Sequence, residues 1–191
     1  METLNFKLNG LSPLLMHNPS GLMQPRVETL GRKQVPTPED EAANSRYLLP
    51  DGNLYVPSIA VRNCLLNGAK GYKVGKKGAI AVLSGAILMI DETFPLSRNN
   101  TPIDGNDVSI DIRRAVIQRQ GIPRARARVE LPWQLDCAFG FSSELFANKD
   151  DGIAFIQQVL NIAGQAVGLL DYRVEKKGWF GRFEVASIEV I

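Results

Sequence analysis

The chain has 191 residues, of which 45% are hydrophobic and 22% are charged, and its formal net charge is +2. This is the composition of an ordinary soluble globular protein with one sizeable core. It contains no run of about 18 apolar residues that could span a membrane, and its first residues lack the basic start and apolar centre of a signal peptide, so we expect a cytosolic protein with no membrane partner.

The first predicted element is a half-buried strand. Leu4, Phe6 and Leu8 alternate with polar residues up to Gly10, and the strand is expected to continue to Met16. Residues 18–54 are rich in proline and have little apolar periodicity, so we predict a long insertion loop. Within it, a short acidic helix is expected from Pro38 to Tyr47.

A helix, a basic turn and a buried strand follow. Pro57 or Ser58 suits the first turn of the helix, and Gly68 and Gly71 are expected to end it. Residues 70–78 form a basic, glycine-rich turn that lacks the spacing of a nucleotide-binding motif. The apolar run over 80–90 predicts a buried strand.

The central part of the chain predicts a basic hairpin over about 106–133. Val108, Ile110 and Ile112 alternate with polar residues in its first arm, and residues 121–123 (Gly-Ile-Pro) are predicted to form its turn. In the second arm, arginines at 124, 126 and 128 are expected on one face and apolar residues on the other. A further strand over 135–141 follows Pro132-Trp133.

The C-terminal part predicts a helix and a last strand. The helix runs from about Asp151 to Val167, with Gly168 as its stop. The strand changes its inward phase near Ala186, which indicates a bulge. The element order is strand, helix, strand, strand, helix, strand, so we predict an α+β fold of the ferredoxin-like (RRM-like) βαββαβ type in a single domain, 1–191.

Basic residues are concentrated in three windows, 62–77, 113–128 and 173–182. These windows hold fifteen of the 22 lysines and arginines and one acid, Glu175. Window 113–128 has six arginines and no acid, an arrangement that favours an anionic partner because like charges repel. An edge strand kept soluble by its charge is the alternative interpretation.

Two places in the chain, one near residue 58 and one in two segments near the end, resemble the RAMP superfamily, specifically the backbone subunits that polymerise along guide RNA in CRISPR effector complexes. Residues 54–62 (LYVPSIAVR) look like that family's strand-to-helix entry, although the family's glycine after Pro57 is absent. Residues 168–173 (GLLDYR) and 178–185 (GWFGRFEV) are similar to its terminal glycine-rich motif. The pattern also resembles phage and prophage proteins, which would fit a stand-alone relative in a bacterial or phage-infected cell.

The resemblance implies a non-catalytic protein that binds single-stranded nucleic acid, with RNA favoured over DNA. It further implies head-to-tail self-assembly into a filament along the strand, other effector-complex subunits as partners, and a thumb-like role for the hairpin. Basic side chains would contact phosphates, and aromatic residues would stack on bases. The expected nucleic-acid-binding residues are Ser58, Arg62, Lys70, Lys73, Lys76, Lys77, Arg113, Arg114, Arg119, Arg124, Arg126, Arg128, Arg173, Lys176, Lys177, Trp179 and Arg182.

Catalysis is the second hypothesis. His17 is the single histidine, and some RAMP relatives that process RNA use a histidine; Glu39 and Asp40 lie where other RAMP subunits place a metal-assisted aspartate. A hydrogen-bonded structural histidine and a helix that begins with acids are the competing interpretations. We therefore expect no catalytic residues, no metal and no cofactor, with an endoribonuclease or a phage module that inhibits a host complex as alternatives. Cys64 and Cys137 are expected to be reduced, buried thiols.

Overall fold

The computed structural model of the chain describes residues 2–22, 36–117 and 120–191, apart from the side chains of 22, 116, 117 and 120. Its strands are β1 Glu2–Gly10, β2 Leu14–Leu15, β3 Tyr55–Pro57, β4 Lys73–Val74, β5 Lys77–Gly78, β6 Ile87–Met89, β7 Thr93–Arg98, β8 Thr101–Pro102, β9 Ser109–Ile117, β10 Gln120–Val129, β11 Gln134–Phe141 and β12 Phe183–Val190. Its helices are α1 Pro19–Leu22, α2 Pro38–Asn44, α3 Ser58–Gly68, α4 Ala79–Ala86 and α5 Lys149–Ala166, with short 3-10 helices at Ser143–Leu145 and Val174–Lys176.

The main sheet has the order β12-β1-β11-β7-β3, and β6 pairs with β11 beside β7. The strand β11 separates β1 from β6, and β1 separates β11 from β12, so each of the two βαβ units is split by a strand of the other. This is the predicted α+β ferredoxin-like arrangement. None of the described helices combines the length and apolar character that a membrane crossing demands.

The core lies between this sheet and the helices α3 and α5. The inward side chains of β1 and β11 alternate strictly, and the predicted apolar stripe of α5, from Ile156 to Val167, is buried. Cys64 and Cys137 are free, buried thiols, as predicted. Gly168, with φ +79°, ends the helical segment, and its lack of a Cβ suits this left-handed conformation.

The opposite face of the central strands β1 and β11 is polar. Lys7 pairs across the strands with Asp136 at 3.3 Å, and Gln134 donates a hydrogen bond to Asn9 at 3.0 Å. Over the described strands β1 and β11, this face presents no aromatic side chain. It therefore lacks the stacking platform with which RRM-like sheets hold bases.

The hairpin β9–β10 belongs to a second sheet, β2-β10-β9. The outer edge of β10, beyond its short pairing with β2, is covered by α2 and the residue that caps it. The Glu41 carboxylate accepts a hydrogen bond from the Ala125 amide, and the Ser45 hydroxyl accepts one from the Ala127 amide. These contacts satisfy backbone donors that a strand edge would otherwise expose. The insertion after β2 therefore helps to hold the hairpin.

Three predicted elements differ from the structure. Residues 80–90 form α4 and then β6, and the predicted continuous strand is wrong: three alanines, at 79, 81 and 86, favour the helix. Residues 121–123 lie inside β10, where Gly121 faces Val116 and Pro123 faces Arg114, so the turn predicted there is wrong. The first strand stops at Gly10, because the chain crosses there to β2 in the second sheet. The bulge near Ala186 is confirmed, since Lys7 faces Ser187 while Leu8 faces Val185.

Candidate nucleic-acid interface

One face of the hairpin, which we call the arginine face, carries Arg113, Arg124, Arg126 and Arg128. The pairing of β9 with β10 places Arg124 opposite Arg113 and Arg126 opposite Asp111. The predicted alternation of arginine and apolar residues is therefore present. The arginine side chains are not all open to solvent, however, because Arg126 is only 6% exposed.

Acidic residues neutralise the arginine face. Arg113 Nε lies 2.6 Å from Asp111 Oδ1, and this contact raises the pKa of Arg113. Arg124 pairs with Glu41, and Arg128 Nε lies 2.9 Å from Glu130. The expectation of a row of uncompensated cations is wrong for these residues, because the acids come from just outside the arginine window and from distant segments.

The most buried of these pairs joins the hairpin to the C-terminal loop. Arg126 Nε lies 2.5 Å from Asp171 Oδ2, in an ion pair whose angles do not meet hydrogen-bond geometry. The Arg126 guanidinium also lies 5.4 Å from the centre of the Tyr172 ring. The buried Arg126 guanidinium is therefore stabilised by both the Asp171 carboxylate and the Tyr172 ring.

Aromatic residues of the same loop complete the contact. The guanidinium groups of Arg113 and Arg128 lie 4.9 and 5.8 Å from the centre of the Phe180 ring, and Phe180 is fully buried. The Tyr172 hydroxyl donates to the Arg114 carbonyl at 2.9 Å. The arginine face is thus an internal packing surface that fixes the hairpin against residues 171–181.

Two expected contacts on α3 also point inward. Ser58 is fully buried, and Arg62 donates to the carbonyls of Ser84 and Ile87 at 2.8 and 3.2 Å. The Ser58 hydroxyl is enclosed without a hydrogen-bond partner among the described residues, and the Arg62 guanidinium is bound by main-chain carbonyls. Neither side chain is offered to a ligand, which corrects the expectation from the resemblance. Arg173, a further expected contact, pairs with Glu175 at 2.8 Å.

The remaining expected residues are mostly open to solvent. Trp179 is 46% exposed, Arg114 is exposed, and Arg182 is half-buried with its backbone amide donating to Ser12. Arg119 lies outside the described residues. Six lysines are exposed and have no acid within ion-pair distance in the described part of the chain: Lys70, Lys73, Lys76, Lys77, Lys176 and Lys177.

A cavity of about 380 Å³, which we call the α3 cavity, opens between α3 and the C-terminal loop. The loop contributes Asp171 and Arg173, and the segment that follows β2 contributes His17. The full lining is His17, Tyr47, Pro57, Ile59, Ala60, Asn63, Cys64, Asn67, Gly168, Leu170, Asp171 and Arg173.

The cavity lining is close to electrically neutral. Asp171 is paired with Arg126, and Arg173 is paired with Glu175. Burial lowers the pKa of the His17 imidazole, an effect that Asp171 opposes and that Arg126 and Arg124 reinforce. The groups left for a ligand are therefore mostly neutral hydrogen-bond donors and acceptors.

Sequence analysis did not identify Asn63 and Asn67 as site residues. They lie four residues apart on α3, so they share one face of the helix, and this spacing was the available signal. The loop that faces them is placed by tertiary structure, which the spacing does not reveal.

Asp40, one of the two acids considered for metal-assisted cleavage, has a structural role. Thr37 Oγ1 accepts a hydrogen bond from the Asp40 amide and donates one to the Asp40 carboxylate, so Asp40 closes the cap of α2. Among residues 2–22, 36–117 and 120–191, no group of three or more His, Cys, Asp or Glu side chains is arranged to hold a metal.

Comparisons with known proteins identify a fold. No protein-family profile matches the sequence, and no curated protein does. Among solved structures, a chain of the cryo-EM structure of the Type III-B Cmr-beta complex bound to cognate target RNA matches with a TM-score of 0.56 and 11% identity. The match covers 100% of this chain and 60% of that one, so the chain spans about three fifths of its length. The protein therefore shares its fold with part of that chain.

Proposed function

We propose that the protein is a non-catalytic, RAMP-like binder of single-stranded RNA that assembles head to tail along the strand. The observation that carries the proposal is the contrast between its cations. The four arginines of the arginine face are neutralised by acids, whereas the six exposed lysines have no acidic partner among the described residues. Unpaired lysines are free to contact phosphates.

Three further features support an RNA strand as the partner. The fold is shared with a chain from a complex bound to target RNA. Trp179 is exposed, so its ring is free to stack on a base. Lys70 lies three residues after Asn67, on the α3 wall of the cavity, and Lys176 lies three residues after Arg173, on the loop wall. Each wall therefore leads along the sequence into a basic segment.

Head-to-tail assembly requires two different surfaces that fit each other. The hairpin exposes Ile110 and Ile112, at 44% and 58%, on the side opposite the arginine face. A separate apolar patch surrounds β6, where Leu88, Met89 and Ile90 are exposed. These two surfaces support the assembly part of the proposal.

The test removes unpaired lysines and measures RNA affinity as a function of salt. Lys73→Ala/Lys76→Ala/Lys77→Ala should weaken binding of a fluorescent single-stranded RNA, and the slope of log K against log salt should fall by about 0.7 for each lost phosphate contact. Lys7→Ala is the matched control, because Lys7 is already paired with Asp136. Equal affinities for the wild type and the triple variant would refute the proposed surface.

RNA cleavage is a second candidate, favoured by the position of His17 in the α3 cavity. Burial favours the neutral imidazole, which is the form that acts as a general base. Incubation of end-labelled RNA with and without divalent metal separates the two functions. A product that is lost in His17→Ala would establish cleavage, and intact RNA in both reactions agrees with a non-catalytic binder.

A further inference from the structure

The α3 cavity has the chemistry of a site for a neutral, planar, polar group. Its charged residues are compensated from outside it, by Arg126 and Glu175. Its volume of about 380 Å³ is within the range of small-ligand pockets. A phosphate is a poor occupant, because no uncompensated cation lines the cavity.

Asn63 and Asn67 are the side chains best placed to recognise such a group. Both are exposed at the cavity wall, and neither side chain has a hydrogen-bond partner in the described part of the chain. Each amide offers a donor and an acceptor side by side. Tyr47 and Ile59 add an aromatic ring and an apolar surface on which a flat ring can rest.

We propose that the α3 cavity receives an adenine base, which Asn63 and Asn67 recognise. The inference rests on the proposed function, because it concerns a base presented by the bound RNA strand. It makes the protein a reader of at least one nucleotide rather than a sequence-independent clamp.

Adenine is the base that fits the available groups. Asparagine pairs in a bidentate manner with N6 and N7 of adenine, whereas guanine is most often read by arginine and cytosine by a carboxylate. The arginine and the carboxylate of this cavity are occupied: Arg173 also donates to the Leu170 carbonyl, and Asp171 is paired with Arg126. The free amides therefore select adenine.

The experiment compares four labelled 15-mers, oligo(rA), oligo(rU), oligo(rC) and oligo(rI), by fluorescence anisotropy. The wild type should bind oligo(rA) about tenfold more tightly than the other three. Inosine keeps the purine size but replaces the N6 donor with an acceptor, so it separates hydrogen-bond reading from stacking. Unlabelled AMP distinguishes the source of the base: displacement of oligo(rA) shows that free nucleotide also enters the cavity, and lack of displacement assigns the cavity to strand-borne adenine.

The variant Asn63→Ala/Asn67→Ala should bind all four oligomers with the affinity of the wild type for oligo(rU). Alanine at exposed helical positions keeps α3 intact, because it is the strongest helix former. Gln158→Ala removes an exposed amide side chain of α5 that lies outside the cavity lining, so it is the matched control and should keep the preference.

The outcomes separate this inference from the proposed function. Binding without an adenine preference, or a preference that survives in the double variant, overturns the adenine site and leaves RNA binding in place. Absence of binding to every oligomer overturns the proposed function, and the inference with it.

Discussion

Arg126 is predicted to be a structural residue whose loss destabilises the protein. Replacement by alanine removes a nearly buried guanidinium, its ion pair with Asp171 and its contact with the Tyr172 ring. Loss of one partner from a fully buried pair costs about 3–5 kcal/mol. Asp171 is 30% exposed and regains part of its hydration, so we expect a loss of about 2–3 kcal/mol in the free energy of unfolding.

This loss should lower Tm by about 4–12 °C in a chain of this size. Urea unfolding followed by circular dichroism measures the free energy directly. The matched control is Arg114→Ala, an exposed arginine of the same hairpin, which should change stability by about 0.5 kcal/mol or less. The reasoning is refuted if Arg126→Ala and Arg114→Ala are equally stable.

A double-variant cycle tests the pairing itself. Arg126→Ala/Asp171→Ala should lose less stability than the two single variants added together, because the second substitution removes a charge that the first leaves unpaired. Additive losses would show that the two side chains act independently. Replacement of Arg124, Arg126 and Arg128 together by alanine should destabilise the hairpin, because all three are ion-paired, so a loss of RNA binding in that variant would not identify them as RNA contacts.

Three further predictions concern the loop, the cavity and the tryptophans. Gly181→Ala should lower the free energy of unfolding by about 2–4 kcal/mol, because the φ of Gly181 is +70° and a Cβ there would lie 2.1 Å from the Leu169 carbonyl oxygen. Gly75→Ala is the control: its φ is +59° but the space around it is open, so the loss should be about 1 kcal/mol. Burial lowers the pKa of His17 in the folded protein, so the unfolded chain binds a proton at a higher pH than the folded one, and the free energy of unfolding should fall as pH drops below about 6.5. His17→Gln should reduce that fall between pH 8 and pH 5. An unchanged pH dependence in the variant would contradict this prediction. RNA should quench tryptophan fluorescence through exposed Trp179 and not through buried Trp133, so Trp179→Phe should remove the quenching; quenching that persists in this variant would exclude Trp179.

Local patterns were enough to predict the main architecture. The strict alternation of Leu4, Phe6 and Leu8 and the 3.6-residue stripe of α5 predicted their elements, because each buries one face against the same core. The bulge at Ala186 was visible as a change of phase. The segment 80–90 was mistaken for a strand, since a continuous apolar run does not distinguish a buried helix from a strand.

The candidate site could be predicted only in part, because its electrostatics depend on residues distant in sequence. Window 113–128 has no acid of its own, yet Glu41 and Asp171 reach its arginines across 83 and 45 positions. A charge pattern along the chain shows where cations are concentrated and not which of them remain unpaired. Asn63 and Asn67 become cavity residues only because the C-terminal loop folds against α3, and their own sequence does not reveal this contact.

The central claim is that the protein binds single-stranded RNA in the cell, and the most direct measurement is the nucleic acid that accompanies it on purification. Protein prepared at low salt without nuclease should show a raised ratio of absorbance at 260 nm to that at 280 nm. The ratio should fall to that of protein after RNase treatment but not after DNase treatment, and sequencing of the released strands should show enrichment in adenine. A protein-like ratio before any nuclease treatment, with no strand released, would contradict the account.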